Sequence, residues 1–277
     1  MQVGAVRRSA SFGDRLGEMS ETQLDHDAVR TRLAAAGCVA ADAEATELLC
    51  AAPDEGTLES WLRRRECGEP SAWITGSAQS CGRRILIDPG VYVPRWQSEV
   101  LARRAAQVLP PHGGLAADLC TGAGAVAAHL VSHVPTAVVI GTDIDVKAVR
   151  CARRNGVAAV VADLGAPLRS ASFDVVTAIA PYVPTDSIEL LPADVQAFEP
   201  RFALDGGRDG LDIVRRVAET AARLLRPGGW LLAEIGGDQG DLLHGPLTEL
   251  GFAEIEWWFD DDGDLRGFMT QASRIIT

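Results

Sequence analysis

The run Asp118-Leu119-Cys120-Thr121-Gly122-Ala123-Gly124 sets a carboxylate and a hydroxyl beside two glycines at the end of a short apolar stretch. An alanine-rich helical stretch opens at Ala125. A buried strand passing through a tight glycine turn into a helix start brings bare backbone N–H groups close to a ligand. Two further acids, Asp143 and Asp163, end later apolar runs. Asp143 follows Gly122 at about the 20-residue spacing of a ribose-binding acid after a glycine loop. The chemistry implied is nucleoside binding: small residues for close approach, a carboxylate for the ribose hydroxyls and a polar group at the base edge. Each acid also has a plainer use. Asp118 could be a cap, Asp143 a turn residue, and Asp163-Leu164-Gly165 an ordinary loop. Asp145 is expected only to start the helix near Val146.

The elements that must position these residues follow a regular rhythm. Strands are predicted at Leu115–Leu119, Val138–Gly141 leading to Asp143, Ala159–Val161, Asp174–Ala178 and Trp230–Ile235. Helical stretches separate them, among them Val146–Arg154 and Gly210–Leu225, the latter stopping at Arg226-Pro227-Gly228-Gly229. This pattern predicts a parallel sheet covered on both faces. The tail differs: Ile255–Phe259 and Gly267–Gln271, joined through Asp262-Gly263, read as an antiparallel pair. A parallel sheet finished by a late hairpin is the Rossmann-like α/β fold of class I methyltransferases. NAD would satisfy part of the same grammar, and Ala127 at the third small position does not decide between the two. No later phosphate-binding or hydride-transfer signature follows, and S-adenosylmethionine has no phosphates. Its amino-acid end is one that Asp118 could help hold. We therefore expect S-adenosylmethionine as the cofactor.

Upstream, residues 21–68 read as a small helical N-terminal domain with apolar Val29, Leu33, Ala36 and Val39 on one stripe. A second helix is expected over Ala40–Cys50, and Thr57 is expected to cap a third. Arg63-Arg64-Arg65 is read as a solvated face. Residues 69–97 read as a β-hairpin linker, with Arg84–Ile87 and Val91–Val93 joined by Asp88-Pro89-Gly90, and residues 98–277 as the cofactor-binding domain. Residues 1–20 read as a disordered extension.

Composition narrows the class. A formal net charge of -12 argues against a broad nucleic-acid surface. The hydrophobic fraction of 47% and charged fraction of 23% are those of a globular chain. No apolar run approaches a membrane span, and the start carries no secretory h-region. The scattered cysteines, without C-x-x-C or zinc-type histidine spacing, fit reduced thiols in a cytoplasmic protein and imply no metal site.

Several strings together resemble the HemK/PrmC family, the protein-(glutamine-N5) methyltransferases of peptide chain release factors. They are Gly68-Glu69-Pro70 with Ala72-Trp73-Ile74-Thr75-Gly76, Val93-Pro94-Arg95 with Glu99, Asp118 to Gly124, and Phe198-Glu199-Pro200. Ala203-Leu204-Asp205-Gly206-Gly207, Asp209-Gly210-Leu211, and Glu234-Ile235-Gly236 with Gln239-Gly240 complete them. The resemblance spans nearly everything from about residue 25 onward. It implies an N-terminal domain that helps recognise the substrate, with a release factor as partner. The cofactor-binding set it implies is Arg95, Asp118, Thr121, Gly122, Gly124, Asp143, Ile144, Asp163, Leu164 and Ile179.

The resemblance also implies a catalytic segment at Ile179, Ala180, Pro181 and Tyr182, and here the chain departs from the family. The family carries Asn-Pro-Pro-Tyr, whose Asn both donates to and accepts from the substrate amide. Ile179 can do neither, although the Ala180 carbonyl and the Tyr182 ring and hydroxyl remain. Two amide groups left without partners would cost about 2–6 kcal/mol, or on the order of 30- to 10⁴-fold in rate. Three readings follow. One is a glutamine methyltransferase as the family implies. Another is a methyltransferase redirected to a small metabolite or another protein group, since an apolar or aromatic-flanked acceptor suits Ile179. The third is a cofactor-binding protein without transfer. If the acceptor were a hydroxyl, Asp186 or Glu199 would be the first candidate bases.

Overall fold

A computed structural model describes residues 25–273. The expected extension at residues 1–20 lies outside the described residues. The chain divides into two compact units, one ending at Cys67 and the other starting at Gly68.

Among the described residues, the first unit packs three helices: α1 (His26–Ala35), α2 (Ala41–Ala51) and α3 (Glu55–Glu66). Asp25 caps α1, its side chain accepting from the Ala28 N–H at 2.7 Å. Val29, Leu33, Leu48 and Leu62 are fully buried between the helices, each such side chain contributing about 1.5–3 kcal/mol. Two expectations need correction. Asp54, not Thr57, caps α3; its carboxylate accepts from both the N–H and the hydroxyl of Thr57, at 2.8 and 3.0 Å. A charged acceptor at the turn outcompetes a hydroxyl that is already donating. Arg65 is not solvated: it is buried and bonds the Glu44 carboxylate at 2.5 Å.

The second unit starts with α4 (Ser71–Thr75) and a hairpin of β1 (Ser77–Ser80) and β2 (Arg83–Leu86). The hairpin is one strand earlier than expected. Its turn is Cys81-Gly82, both at positive φ (50° and 70°), the geometry of a type I′ turn. Cys-Gly lacks the Asn-Gly or Asp-Gly signature, so the turn was not legible. Val91–Val93 is instead an extended segment anchored in the core, with the Trp73 indole N–H donating to the Val91 carbonyl at 2.9 Å.

A 3-10 turn at Trp96–Ser98 leads into α5 (Glu99–Val108). The alternation then runs β3 (Leu115–Leu119), α6 (Ala125–His133), β4 (Val138–Asp143), α7 (Val146–Arg154), β5 (Ala158–Val161) and β6 (Phe173–Ala178). It continues through α8 (Ala193–Phe198), α9 (Asp212–Leu224), β7 (Leu225–Glu234), α10 (Gln239–Glu249), β8 (Phe252–Phe259) and β9 (Leu265–Ala272). The seven-stranded sheet has the order β5-β4-β3-β6-β7-β9-β8, parallel from β5 to β7 and antiparallel at β9 and β8.

Both faces are covered, so β6 is buried at every position, as a central parallel strand requires. Val175 joins the core beneath α5, α6 and α7, while Val176 joins the core beneath α9 and α10. On α9, Val214, Val217, Ala218, Ala221 and Leu224 form the buried stripe. The start of β7 departs from expectation: Arg226-Pro227-Gly228-Gly229 lies within the strand, not before it. The break in register opposite Phe173 and Val175 accommodates this proline and glycine pair. Helix α10, which contains Pro246, was not anticipated.

Candidate active site

The chain order reverses between β3 and β6, which are neighbours in the sheet. Their carboxyl ends carry the glycine loop and the Ile179–Tyr182 segment, the place where open α/β sheets bind ligands.

On the first side, Gly122 and Gly124 have positive φ (55° and 82°). A side chain on Gly122 would meet nothing within 4 Å, whereas one on Gly124 would press on Ala152 and Val157 at 3.0 Å. Gly122 thus faces open space and Gly124 seats the loop on α7. Asp143 steadies the loop: its Oδ2 accepts from the Gly122 N–H at 2.9 Å and its Oδ1 from the Asp145 N–H at 2.9 Å. Burial raises the Asp143 carboxyl, and these backbone donors oppose the rise. Asp145 caps α7 through the Lys147 N–H, as expected.

Asp118 is buried beneath the loop, its Oδ1 accepting from Thr177 at 2.7 Å and its Oδ2 from Thr121 at 2.6 Å. Burial lifts it to about 6 against those hydroxyls. Its carboxylate, together with Thr121, ties β3, the glycine loop and β6 together.

Beyond Asp143, Ile144 is 67% exposed, an apolar surface suited to a base. Asp163 is exposed and paired with Arg216 of α9 at 2.7 Å, and Leu164 turns through positive φ (47°). Small, open backbone, a carboxylate, an apolar face and an acidic edge fit a nucleoside with a methionine tail.

On the second side, Ile179 is partly buried against the core and Ala180 is buried. Pairing of Ala178 with Ala233 brings Ile179 and Glu234 to the same end of the sheet. Glu234 is buried, its Oε1 accepting from the Tyr182 hydroxyl at 2.7 Å and its Oε2 from the Ser98 hydroxyl at 2.6 Å. Burial raises both Glu234 and Tyr182. Arg95 ion-pairs with Glu199 and lies over the Tyr92 ring at 5.2 Å.

The backbone of Pro181–Val183 is clamped from outside. Gln239 donates to the carbonyls of Tyr182 (2.8 Å) and Asp209 (3.1 Å) and accepts from the Gly236 N–H (2.9 Å). Val183 exchanges hydrogen bonds with the loop at Leu204 and Gly206. Gly210, with φ +75°, approaches so closely that a side chain there would stand 2.2 Å from the Tyr182 carbonyl.

Of these positioning residues, Glu234 and Gln239 belong to the family strings, whereas Asn155 carried no signal of its own. Asn155 in fact holds Leu86 at both backbone groups, and its amide also donates to the Ala123 carbonyl of the glycine loop at 2.8 Å.

A family profile described as "Methyltransferase domain" matches residues 116–197. A release factor glutamine methyltransferase of Moorella thermoacetica is 42% identical over 199 residues, covering 69% of this chain and 70% of that protein. One from Geobacter sulfurreducens is 35% identical over 208 residues, 73% of each chain. The chain belongs to the HemK/PrmC family. It is an S-adenosylmethionine-dependent methyltransferase similar to the release factor enzymes, which sets aside the reading without transfer. Another relative, the 4-amino-L-phenylalanine/4-methylamino-L-phenylalanine methyltransferase of Streptomyces pristinaespiralis, is 35% identical over 254 residues, 86% of each chain. The solved structure of the E. cuniculi Mtq2-Trm112 complex, responsible for methylation of the termination factor eRF1, aligns with a TM-score of 0.51 at 20% identity. It covers 66% of this chain and 99% of that one, a likeness of fold. No helix among the described residues is long and apolar enough to cross a membrane.

Proposed function

We propose that this HemK/PrmC member methylates the aromatic amine of a small amino acid instead of a glutamine amide. The observation that carries this reading is Ile179 in the position where the family uses an amide-holding Asn. The relative from Streptomyces pristinaespiralis supports it, because its name gives both an arylamine and the monomethylated arylamine as acceptors. An amide nitrogen needs its orientation fixed from both sides, since its lone pair is delocalised. An arylamine is a better nucleophile and is unprotonated at neutral pH. It presents a flat apolar ring and no carbonyl, so Ile179 leaves no acceptor of its own unmet.

S-adenosylmethionine supplies an electrophilic methyl group when bound. Its adenosine side is assigned to Gly122, Asp143, Ile144, Asp163 and Leu164, with Gly124, Thr121 and Asp118 holding the loop. On the acceptor side, the Ala180 carbonyl accepts from the amine N–H and turns the lone pair toward the methyl group. Ile179, Pro181 and the Tyr182 ring wall the aryl group, and Glu234 holds the Tyr182 hydroxyl. With S-adenosylmethionine bound, its methyl group would pass to the amine nitrogen held by the Ala180 carbonyl, the sulfur leaving as the thioether and the extra proton going to water. No strong base is required, and neither Asp186 nor Glu199 needs to be one.

Incubation with labelled S-adenosylmethionine and, separately, 4-amino-L-phenylalanine, its monomethyl form and a release factor tests the reading. Label in the arylamines and little in the release factor is the expected result. The reverse outcome would return the chain to glutamine.

A further inference from the structure

Glu199 is a buried carboxylate of the second unit that the proposed reaction leaves unused. It follows α8, where Phe198 packs edge-on against Trp73 (centroids 6.3 Å apart) and the Glu199 N–H donates to the Val195 carbonyl at 3.1 Å. These contacts fix its backbone. Its side chain is 1% exposed. Oε1 accepts from Arg95, and the Val93 N–H also favours the ionised carboxyl, yet Oε2 has no hydrogen-bond partner among the described residues. A buried carboxylate oxygen left open is rare and calls for a donor. Arg95 differs: its side chain is 34% exposed, and one amino group serves Glu199. Tyr92 supports the guanidinium with its ring and also hydrogen-bonds it through its hydroxyl, leaving the rest of the five N–H donors of the fork for an anion.

The pair lies on the acceptor side. Arg95 and Tyr92 both feel the charge of Glu234, the residue that holds Tyr182. Glu234 already has a donor on each oxygen, so it has less need of a cation than Glu199.

We propose that Glu199 and Arg95 form the subsite for the α-amino-acid end of the acceptor, Glu199 Oε2 taking its ammonium and Arg95 its carboxylate. A zwitterion adds one charge of each sign to a neutral ion pair, so the four-charge set stays neutral. An acceptor with only one of those groups leaves a partly buried charge uncompensated. This assignment rests on the arylamine reading and names the part of the acceptor that reading leaves open.

The test compares 4-amino-L-phenylalanine with two truncated arylamines. One is 3-(4-aminophenyl)propanoate, without the ammonium, and the other is 2-(4-aminophenyl)ethylamine, without the carboxylate. The wild-type kcat/KM should fall about 10- to 100-fold for each, the effect of a lost charged hydrogen bond. In Glu199→Gln the penalty for lacking the ammonium should shrink to about threefold or less, while the penalty for lacking the carboxylate persists. Arg95→Gln should show the converse. A merely structural role would slow all three acceptors equally in both variants, which would overturn the subsite. So would a wild-type enzyme indifferent to the truncations, a comparison that needs no variant to fold. Calorimetry with L-phenylalanine, which has the same amino-acid end but no arylamine, separates the two levels. Binding that is lost in the variants, without methylation of any arylamine, would keep the subsite and overturn the acceptor assignment. Arylamine methylation without dependence on either charge would do the opposite.

Discussion

The glycine loop and the Ile179–Tyr182 segment lie at the ends of neighbouring strands, yet they are held in opposite ways. The loop is fixed by its own surroundings: Asp143 grips the Gly122 N–H, and Asp118 draws Thr121 and Thr177 together from below. The acceptor segment is fixed from afar, by Gln239, Gly210 and a carboxylate on β7. On the first side, the scaffold is built from the loop and the residues directly beside and beneath it. On the second, the scaffold is separate from the side chain at position 179. On the proposed reading, acceptor preference can therefore change through one residue while the backbone of the segment stays in place.

Four experiments would break or sharpen that contrast. The largest effect is expected from Gly210→Ala. A side chain there drives into the Tyr182 carbonyl, and a displacement of about 1 Å in the acceptor segment costs on the order of 100-fold in kcat. Calorimetry should show cofactor affinity little changed; an equal loss of both would mean that the two sides are not separable. Asp143→Ala should do the reverse. It should weaken cofactor binding by about 10- to 100-fold, as for a charged hydrogen-bonding group, and leave the ratio of rates between two acceptors unaltered.

Asp118 links the sides through β6, and its signature is a pH dependence of stability. Its folded-state value of about 6 lies above the ordinary 3.8, because burial outweighs the two threonine hydroxyls. The folded protein therefore holds this proton more tightly. The stabilisation is complete below about pH 4 and is lost as pH rises through about 6. Replacing the residue in Asp118→Asn should flatten denaturation midpoints across that window, by on the order of 2–4 kcal/mol in full. Identical profiles for the two proteins would contradict the assignment. Tyr182→Phe, the smallest change, removes the donor to buried Glu234 Oε1 and should lower stability by about 1–3 kcal/mol in urea denaturation.

The sheet was readable because strands and helices each carried the right period, and four of the five parallel strands begin within about a residue of the expected place. The linker hairpin was not, because Cys81-Gly82 hides its turn type and Val91–Val93 looks like a strand without a partner. At the site, Gly122 and Asp143 were legible because backbone approach and ribose-type spacing leave a local pattern. Asp118 was legible as an acid at a strand end, but which way it faces is decided by Thr177, distant in sequence. Glu234 and Gln239 stood in the family strings without their contacts being readable, and Asn155 in none, because all three act across long separations.

The central claim is that position 179 sets the acceptor. The direct measurement is kcat/KM for 4-amino-L-phenylalanine and for a release factor glutamine, in the wild type and in Ile179→Asn. The account predicts that the substitution moves the ratio toward glutamine by at least 30-fold, the lower end for two restored hydrogen bonds, with cofactor affinity unchanged. A wild type that already prefers glutamine, or a ratio that does not move, would contradict it.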